Sequence, residues 1–157
     1  ITVATHLFNA MSGFLHREPG MVGALFNHPH AMSSIIVDGH HVNYHAVKSA
    51  KKIMGDRLFC ITDAVTTTNT GFYKHALVGD KYESDGTLSG SALTQLKSVQ
   101  NLVEHIGVNF EEAVKMCSVY PARVMQIKEM SGCIQMGETA ALVCLNEKME
   151  LLKIVAS

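Results

Sequence analysis

Asp63 and His6 are the residues of this chain best placed to do chemistry. Asp63 closes the run Leu58-Phe-Cys-Ile-Thr-Asp63, an apolar strand that ends in a carboxylate opening onto a loop. A strand as apolar as residues 58–61 is expected to be buried on both faces, so its backbone is rigid and the carboxylate at its end is held accurately enough for proton transfer. An isolated strand-end Asp can equally be a helix N-cap or a structural acceptor, so its neighbours must decide. His6 ends a β-branched run, Ile1-Thr-Val-Ala-Thr-His6. An imidazole for a metal and a carboxylate base together point to a metal hydrolase.

A third run, Ser34-Ile-Ile-Val-Asp-Gly-His-His41, ends the same way. If it is a strand throughout, His40 faces away from His41, because neighbours on a strand point to opposite faces. Asn9 lies three residues beyond His6, so its amide could orient a substrate hydroxyl or carbonyl beside a metal held there. Arg17 offers a planar fork for a phosphate or carboxylate, and His41 could add a second donor to the same anion. An ion pair with Glu18, or a solvated loop charge, is the simpler account of Arg17. His16, His28, His30, His45, His75 and His105 read as surface or hydrogen-bonded histidines.

Each run precedes helix-like sequence: residues 20–27 after the first, and 45–54 after the second, where Val47, Ala50 and Met54 recur at helical spacing. Strand, polar tip, helix, strand is the order of parallel βαβ units, whose C-terminal strand ends carry the chemistry. His6, His41 and Asp63 should therefore share one rim of an α/β fold. Beyond Asp63, residues 66–71 form a polar loop, and residues 72–82 with Asp85-Gly86 read as short strands joined by a turn. Ser89, Gly90 and Ser91 precede a helix with Leu93, Leu96, Val99, Leu102, Val103 and Ile106 on one face; its N-terminus could bind an anion, although Ser there is more often only a cap. Asn109-Phe-Glu-Glu signals a second helix and Tyr120-Pro121 a third, with Met116 and Met125 as core. Residues 139–145 and 151–155 read as two strands of a small β domain. The expected division is residues 1–130 in a barrel and 131–157 in that β domain.

With 47% hydrophobic residues, 17% charged and a formal net charge of −1, the chain has no basic face for nucleic acid, and a small-molecule partner is expected. No apolar run reaches the ~18 residues of a membrane span, and no secretory leader pattern is present. Cys60, Cys117, Cys133 and Cys144 lack metal or disulfide spacing and read as reduced core thiols, which favours the cytoplasm. A closed (β/α)8 barrel takes ~250 residues, so the chain's 157 are expected to be a piece of a longer protein.

His6-Leu-Phe-Asn-Ala10, His16-Arg-Glu-Pro-Gly20, Asp38-Gly-His-His41, Thr62-Asp-Ala64, Leu88-Ser-Gly-Ser91 and Tyr120-Pro-Ala-Arg123 follow one another over nearly the whole chain. In order and spacing they resemble the C-terminal part of the N-acetylglucosamine-6-phosphate deacetylases of the amidohydrolase superfamily. The resemblance implies the C-terminal portion of a metal-dependent (β/α)8 TIM-like barrel, plus strands of a small β-rich domain. It implies that His6 is a ligand of a divalent metal, usually zinc, and that Asp63 is the general base and acid. Asn9 and Ala10 resemble the loop that contacts the sugar, Arg17 the phosphate-binding arginine and His41 a substrate-binding histidine. Leu88, Ser89 and Gly90 match the segment lining the substrate pocket. A sugar phosphate substrate and a homodimer are implied, with the other metal ligands in an N-terminal part of the same protein. Another amidohydrolase activity, such as deamination or cyclic-amide hydrolysis, is the alternative, as is a non-catalytic fragment. The sequence departs from the family pattern in the loop Val65-Thr-Thr-Thr-Asn69 and at Thr139-Ala-Ala-Leu142. A catalytic zinc takes ~three protein ligands, so the isolated chain is expected neither to hold zinc tightly nor to deacetylate. Zinc affinity in the micromolar range with turnover from these residues alone would refute that.

Overall fold

Three short strands carry the chemistry-bearing loops. In the computed structural model, which describes residues 2–71, 74–127, 132, 134, 136–137 and 141–156, β1 (Val3–Ala4), β2 (Met32–Ile35) and β3 (Leu58–Cys60) pair in that order, all parallel. Ala4 lies opposite Ser33, Ser34 opposite Phe59 and Ile35 opposite Cys60. Ser33, Ser34, Ile35, Leu58, Phe59 and Cys60 are all buried, as a parallel sheet covered by helices requires. The ladder is shorter than the apolar runs. Beyond it single hydrogen bonds continue the pairing: Leu7 N–H to the Ser34 carbonyl (2.8 Å) and Ile61 N–H to that of Ile35 (3.1 Å).

The connecting helices form where expected. α1 (Gly20–Asn27) follows β1, and α2 (Tyr44–Met54) follows β2. α2 buries Val47, Ala50 and Met54 along one stripe. The Asn43 side chain caps its start by accepting the His45 N–H at 2.9 Å. Gly55, at φ 59°, ends it in a left-handed turn that a side chain would strain. Arg57 then donates to the carbonyls of Leu25 (3.1 Å) and Ala31 (2.9 Å), tying the end of α1 to the start of β2 at the edge opposite the tips.

After β3 the chain builds an antiparallel sheet, β4 (Ala76–Val78), β5 (Lys81–Ser84) and β6 (Thr87–Ser91). Asp85 and Gly86, at φ 51° and 77°, make the tight turn between β5 and β6. Here the structure corrects the sequence reading: Ser89, Gly90 and Ser91 are strand, and the helix that follows is capped by Thr94. The peptide groups of Ser91 are taken by residues after β3, so they are not free for an anion. The expected single helix is α3 (Gln95–Asn101) widened into a π turn over Leu102–Ile106 and closed by Gly107 at φ 78°. Val99, Leu102 and Ile106 are buried as the pattern predicts.

α4 (Phe110–Cys117) starts at Asn109, whose side chain accepts the Glu112 N–H at 2.8 Å, and α5 (Val119–Met125) carries Pro121 in its first turn. Met116 is fully buried, but Met125 is 69% exposed, so only the first belongs to the core. β7 (Ala141–Leu145) and β8 (Leu151–Ala156) form the expected hairpin. Cys60, Cys117 and Cys144 are free, with Cys60 alone buried; Cys133 and Thr139 lie outside the described residues. No helix among the described residues is long and apolar enough to cross a membrane.

α2, α4 and α5 meet at Tyr120. Its hydroxyl donates to both Glu112 oxygens (3.1 and 3.0 Å), Lys51 pairs with the same carboxylate, and the Lys51 and Arg123 cations lie 5.6 and 5.2 Å from the ring. Burial, then the Glu112 hydrogen bond and charge, push the Tyr120 phenol up to about 12. An unfolded tyrosine titrates near ~10, so this stabilisation is complete below that pH and is lost as pH rises through the folded value. In urea unfolding of the full-length protein, wild type should lose stability relative to Tyr120→Phe between those two pH values; parallel curves would remove Tyr120 from the account.

Candidate active site

Because β1, β2 and β3 run parallel, residues 5–10, 37–41 and 61–63 emerge from one edge of the sheet. That edge brings His6, His41 and Asp63 onto one rim, as their strand-end positions predict.

His6 sits in a strained turn. It adopts φ 37°, and Phe8 and Ala10 follow at 76° and 51°. Left-handed backbone at three non-glycine residues costs on the order of 1–3 kcal/mol each and persists only where the surroundings impose it. Ser34 imposes it here: its hydroxyl accepts the His6 N–H at 2.8 Å, and its carbonyl accepts the Leu7 N–H at 2.8 Å. The fully buried Leu7 anchors the turn in the core. Nδ1 of His6 is buried without a hydrogen-bond partner among the described residues, and Asn9 folds back over the turn, its N–H on the His6 carbonyl at 2.9 Å. Ala10 and Arg17 are exposed. Among the described residues Arg17 pairs with no carboxylate, Glu18 included.

Asp63 is also left-handed, at φ 49°, and exposed. Residues 64–71 contain no helix, which disposes of the N-cap alternative. Ser91, fully buried on β6, holds this turn: its N–H donates to the Asp63 carbonyl at 3.1 Å, its hydroxyl to the Thr62 carbonyl, and its own carbonyl accepts the Val65 N–H at 3.2 Å. The second sheet is thereby fastened to the candidate base. Leu88 and Ser89 line a cavity of about 590 Å³ with Val65, His75 and Asp85, and Ser89 Oγ lies 2.8 Å from His75 Nδ1. Gly90 permits the fit, since a Cβ there would stand 2.6 Å from both Val65 methyls.

His40 and His41 lie in a bend, not on a strand, so alternation is not what separates them. Asp38 organises the bend: its Oδ1 accepts the amides of His40 (2.9 Å) and His41 (2.8 Å), and its Oδ2 lies 2.6 Å from His41 Nδ1. The His40 ring turns the other way, to Asp80 in the β4–β5 turn at 2.8 Å. Burial alone would push the Asp38 carboxyl up, but the hydrogen bonds from the His41 ring and both amides outweigh it and hold it below the usual carboxylate range. In the sequence Asp38 stands out only as part of a motif, Ser91 reads as the start of a helix, and Ser34 and Asp80 carry no signal of a role. The three-residue spacing of Asp38 and His41 was a usable signal; for the serines there was none. Among the described residues no three His, Cys, Asp or Glu side chains group closely enough to hold a metal ion.

Residues 1–156 match the Amidohydrolase family. The chain is 34% identical to an N-acetylglucosamine-6-phosphate deacetylase of Haemophilus influenzae, an alignment covering 99% of this chain and 44% of that protein. It is 33% identical to an N-acetylgalactosamine-6-phosphate deacetylase of Escherichia coli O157:H7, over 95% of this chain and 42% of the relative. The crystal structure of N-acetylglucosamine-6-phosphate deacetylase from Pasteurella multocida superposes with a TM-score of 0.90 at 32% identity, covering 99% of this chain and 43% of that one. The chain thus spans less than half the length of these three proteins.

The contact at Gly90 sets a stability test. Gly90→Ala should destabilise the full-length protein by about 1–3 kcal/mol in chemical denaturation, and adding Val65→Ala should recover most of that loss. Failure of the second substitution to rescue would show that the strain lies elsewhere.

Proposed function

The chain belongs to the amidohydrolase family, and from that premise we propose that it is the C-terminal part of a metal-dependent deacetylase converting N-acetylglucosamine 6-phosphate to glucosamine 6-phosphate and acetate. The observation that carries the reading is the shared edge of His6, His41 and Asp63, in a chain about a third identical to named deacetylases of 6-phosphorylated N-acetylhexosamines. Residues 1–130 would complete a barrel with an N-terminal part of the same protein, and residues 131–157 would join a small β domain. A homodimer in the cytoplasm is part of the proposal; the free thiols of Cys60, Cys117 and Cys144 suit a reducing compartment.

His6 fits a metal ligand, because its buried Nδ1 lacks a partner among the described residues and a buried polar atom left alone is costly. The remaining ligands would come from the N-terminal part. A divalent ion bound there, zinc by our proposal, supplies acidification of a water and polarisation of the acyl oxygen. Asp63, whose carboxylate has no hydrogen-bond partner among the described residues, takes the proton that the attacking water loses and delivers it to the departing amine. The exposed Arg17, which pairs with no carboxylate among the described residues, binds the 6-phosphate. His41 and the Asn9–Ala10 loop hold the sugar, and Leu88, Ser89 and Gly90 form the wall beside it.

The test is acetate release by the full-length protein with added divalent metal. Asp63→Asn should lower kcat about a hundredfold to ten-thousandfold with KM nearly unchanged; an undiminished rate would take Asp63 out of the mechanism. Arg17→Ala should raise KM for the phosphorylated substrate but not for N-acetylglucosamine. Running the galactosamine epimer alongside decides which sugar the protein prefers, and hydrolysis of neither would overturn the reading.

A further inference from the structure

Asp38 sits behind a candidate binding residue and is used by no step above. Its carboxylate is 5% exposed and the His41 side chain 9%, so the pair is nearly closed to water. Both Asp38 oxygens are committed. Oδ1 takes the backbone amides of His40 and His41, and Oδ2 faces His41 Nδ1 at 2.6 Å. An ionised carboxylate only accepts, so Nδ1 must carry the hydrogen, and Nε2 is left as the face of the ring offered to a ligand. Among the described residues Nε2 has no hydrogen-bond partner.

The bend cannot easily rotate the ring another way. Gly39, at φ 80°, lets the chain turn back on Asp38, and a Cβ there would stand 2.9 Å from the Tyr44 ring. Tyr44 in turn stacks on His105 at 4.4 Å. The His40 ring is drawn off to Asp80, so only the His40 amide, and not its imidazole, reaches the Asp38 carboxylate.

We propose that Asp38 is a positioning residue that fixes the His41 ring with its proton on Nδ1, so that Nε2, left as an acceptor, meets a hydroxyl group of the sugar substrate. That Nε2 touches substrate rests on the deacetylase reading; that Asp38 sets the tautomer does not. Asp38→Asn separates the two. To keep both backbone amides, the asparagine must turn its oxygen toward them and its NH2 toward His41. Nδ1 then becomes the acceptor and the proton moves to Nε2.

The experiment uses full-length protein labelled with 15N-histidine, with the His41 signal identified by its loss in His41→Gln. Wild type should show a protonated Nδ1, and Asp38→Asn an Nε2–H tautomer. A wild-type ring protonated on Nε2 alone would overturn the proposal without any variant having to fold. In deacetylation of N-acetylglucosamine 6-phosphate, Asp38→Asn should raise KM about tenfold to a hundredfold and leave kcat within about threefold, and it should have no further effect in the His41→Gln background. An unchanged KM in an active enzyme, or additivity of the two substitutions, would overturn the substrate contact. A merely structural role for Asp38 would lower the melting temperature without moving the tautomer. If wild type hydrolyses neither sugar phosphate, the functional reading fails, and the wild-type spectrum still decides the assignment to Asp38.

Discussion

Parallel pairing of β1, β2 and β3 constrains everything else in this chain. Antiparallel strands would send alternate ends to opposite edges of the sheet. Here each strand leaves on the same side, so a histidine, a bend and an aspartate separated by dozens of residues arrive on one rim. The ladder is only a few residues deep, which is enough because β2 and β3 are buried. Arg57 closes the opposite edge by binding the carbonyls of Leu25 and Ala31, so the stabilising contacts and the reactive groups lie at different ends of the same elements.

The reactive end is where the backbone is strained. His6, Phe8, Ala10 and Asp63 all occupy left-handed conformations that the surroundings must hold in place. Two buried serines do so in the same way. Ser34 grips the turn after β1 from the neighbouring strand, and Ser91 grips the turn after β3 from a different sheet. Each uses its peptide group as well as its hydroxyl. The antiparallel sheet is therefore part of the support for Asp63, and Gly90 allows the close approach that the Ser91 contacts require.

A third turn, at residues 38–42, is organised by charge. One carboxylate satisfies two amides and one imidazole, and a second, on Asp80, draws His40 aside. Adjacent histidines are thus given different partners, and only His41 keeps its Nε2 without one among the described residues.

The sequence by itself determined the elements and their order. Hydrophobic periodicity located α1 and α2, apolar runs located the parallel strands, and Asn109 marked a helix start, because each of these depends on near neighbours in the chain. It also placed His6, His41 and Asp63 at strand ends, from which a common rim follows once the strands are parallel. Only the tertiary structure decided how those residues are held. Nothing around Ser91 distinguishes a strand residue from a helix cap; the difference is made by the peptide groups of Asp63 and Val65, brought to it by the fold. Met116 and Met125 have similar local patterns, and one is fully buried while the other is exposed according to what packs over each helix. Hydrogen bonds between residues twenty-eight or more apart have no local signature, because they depend on which surfaces the fold brings into contact.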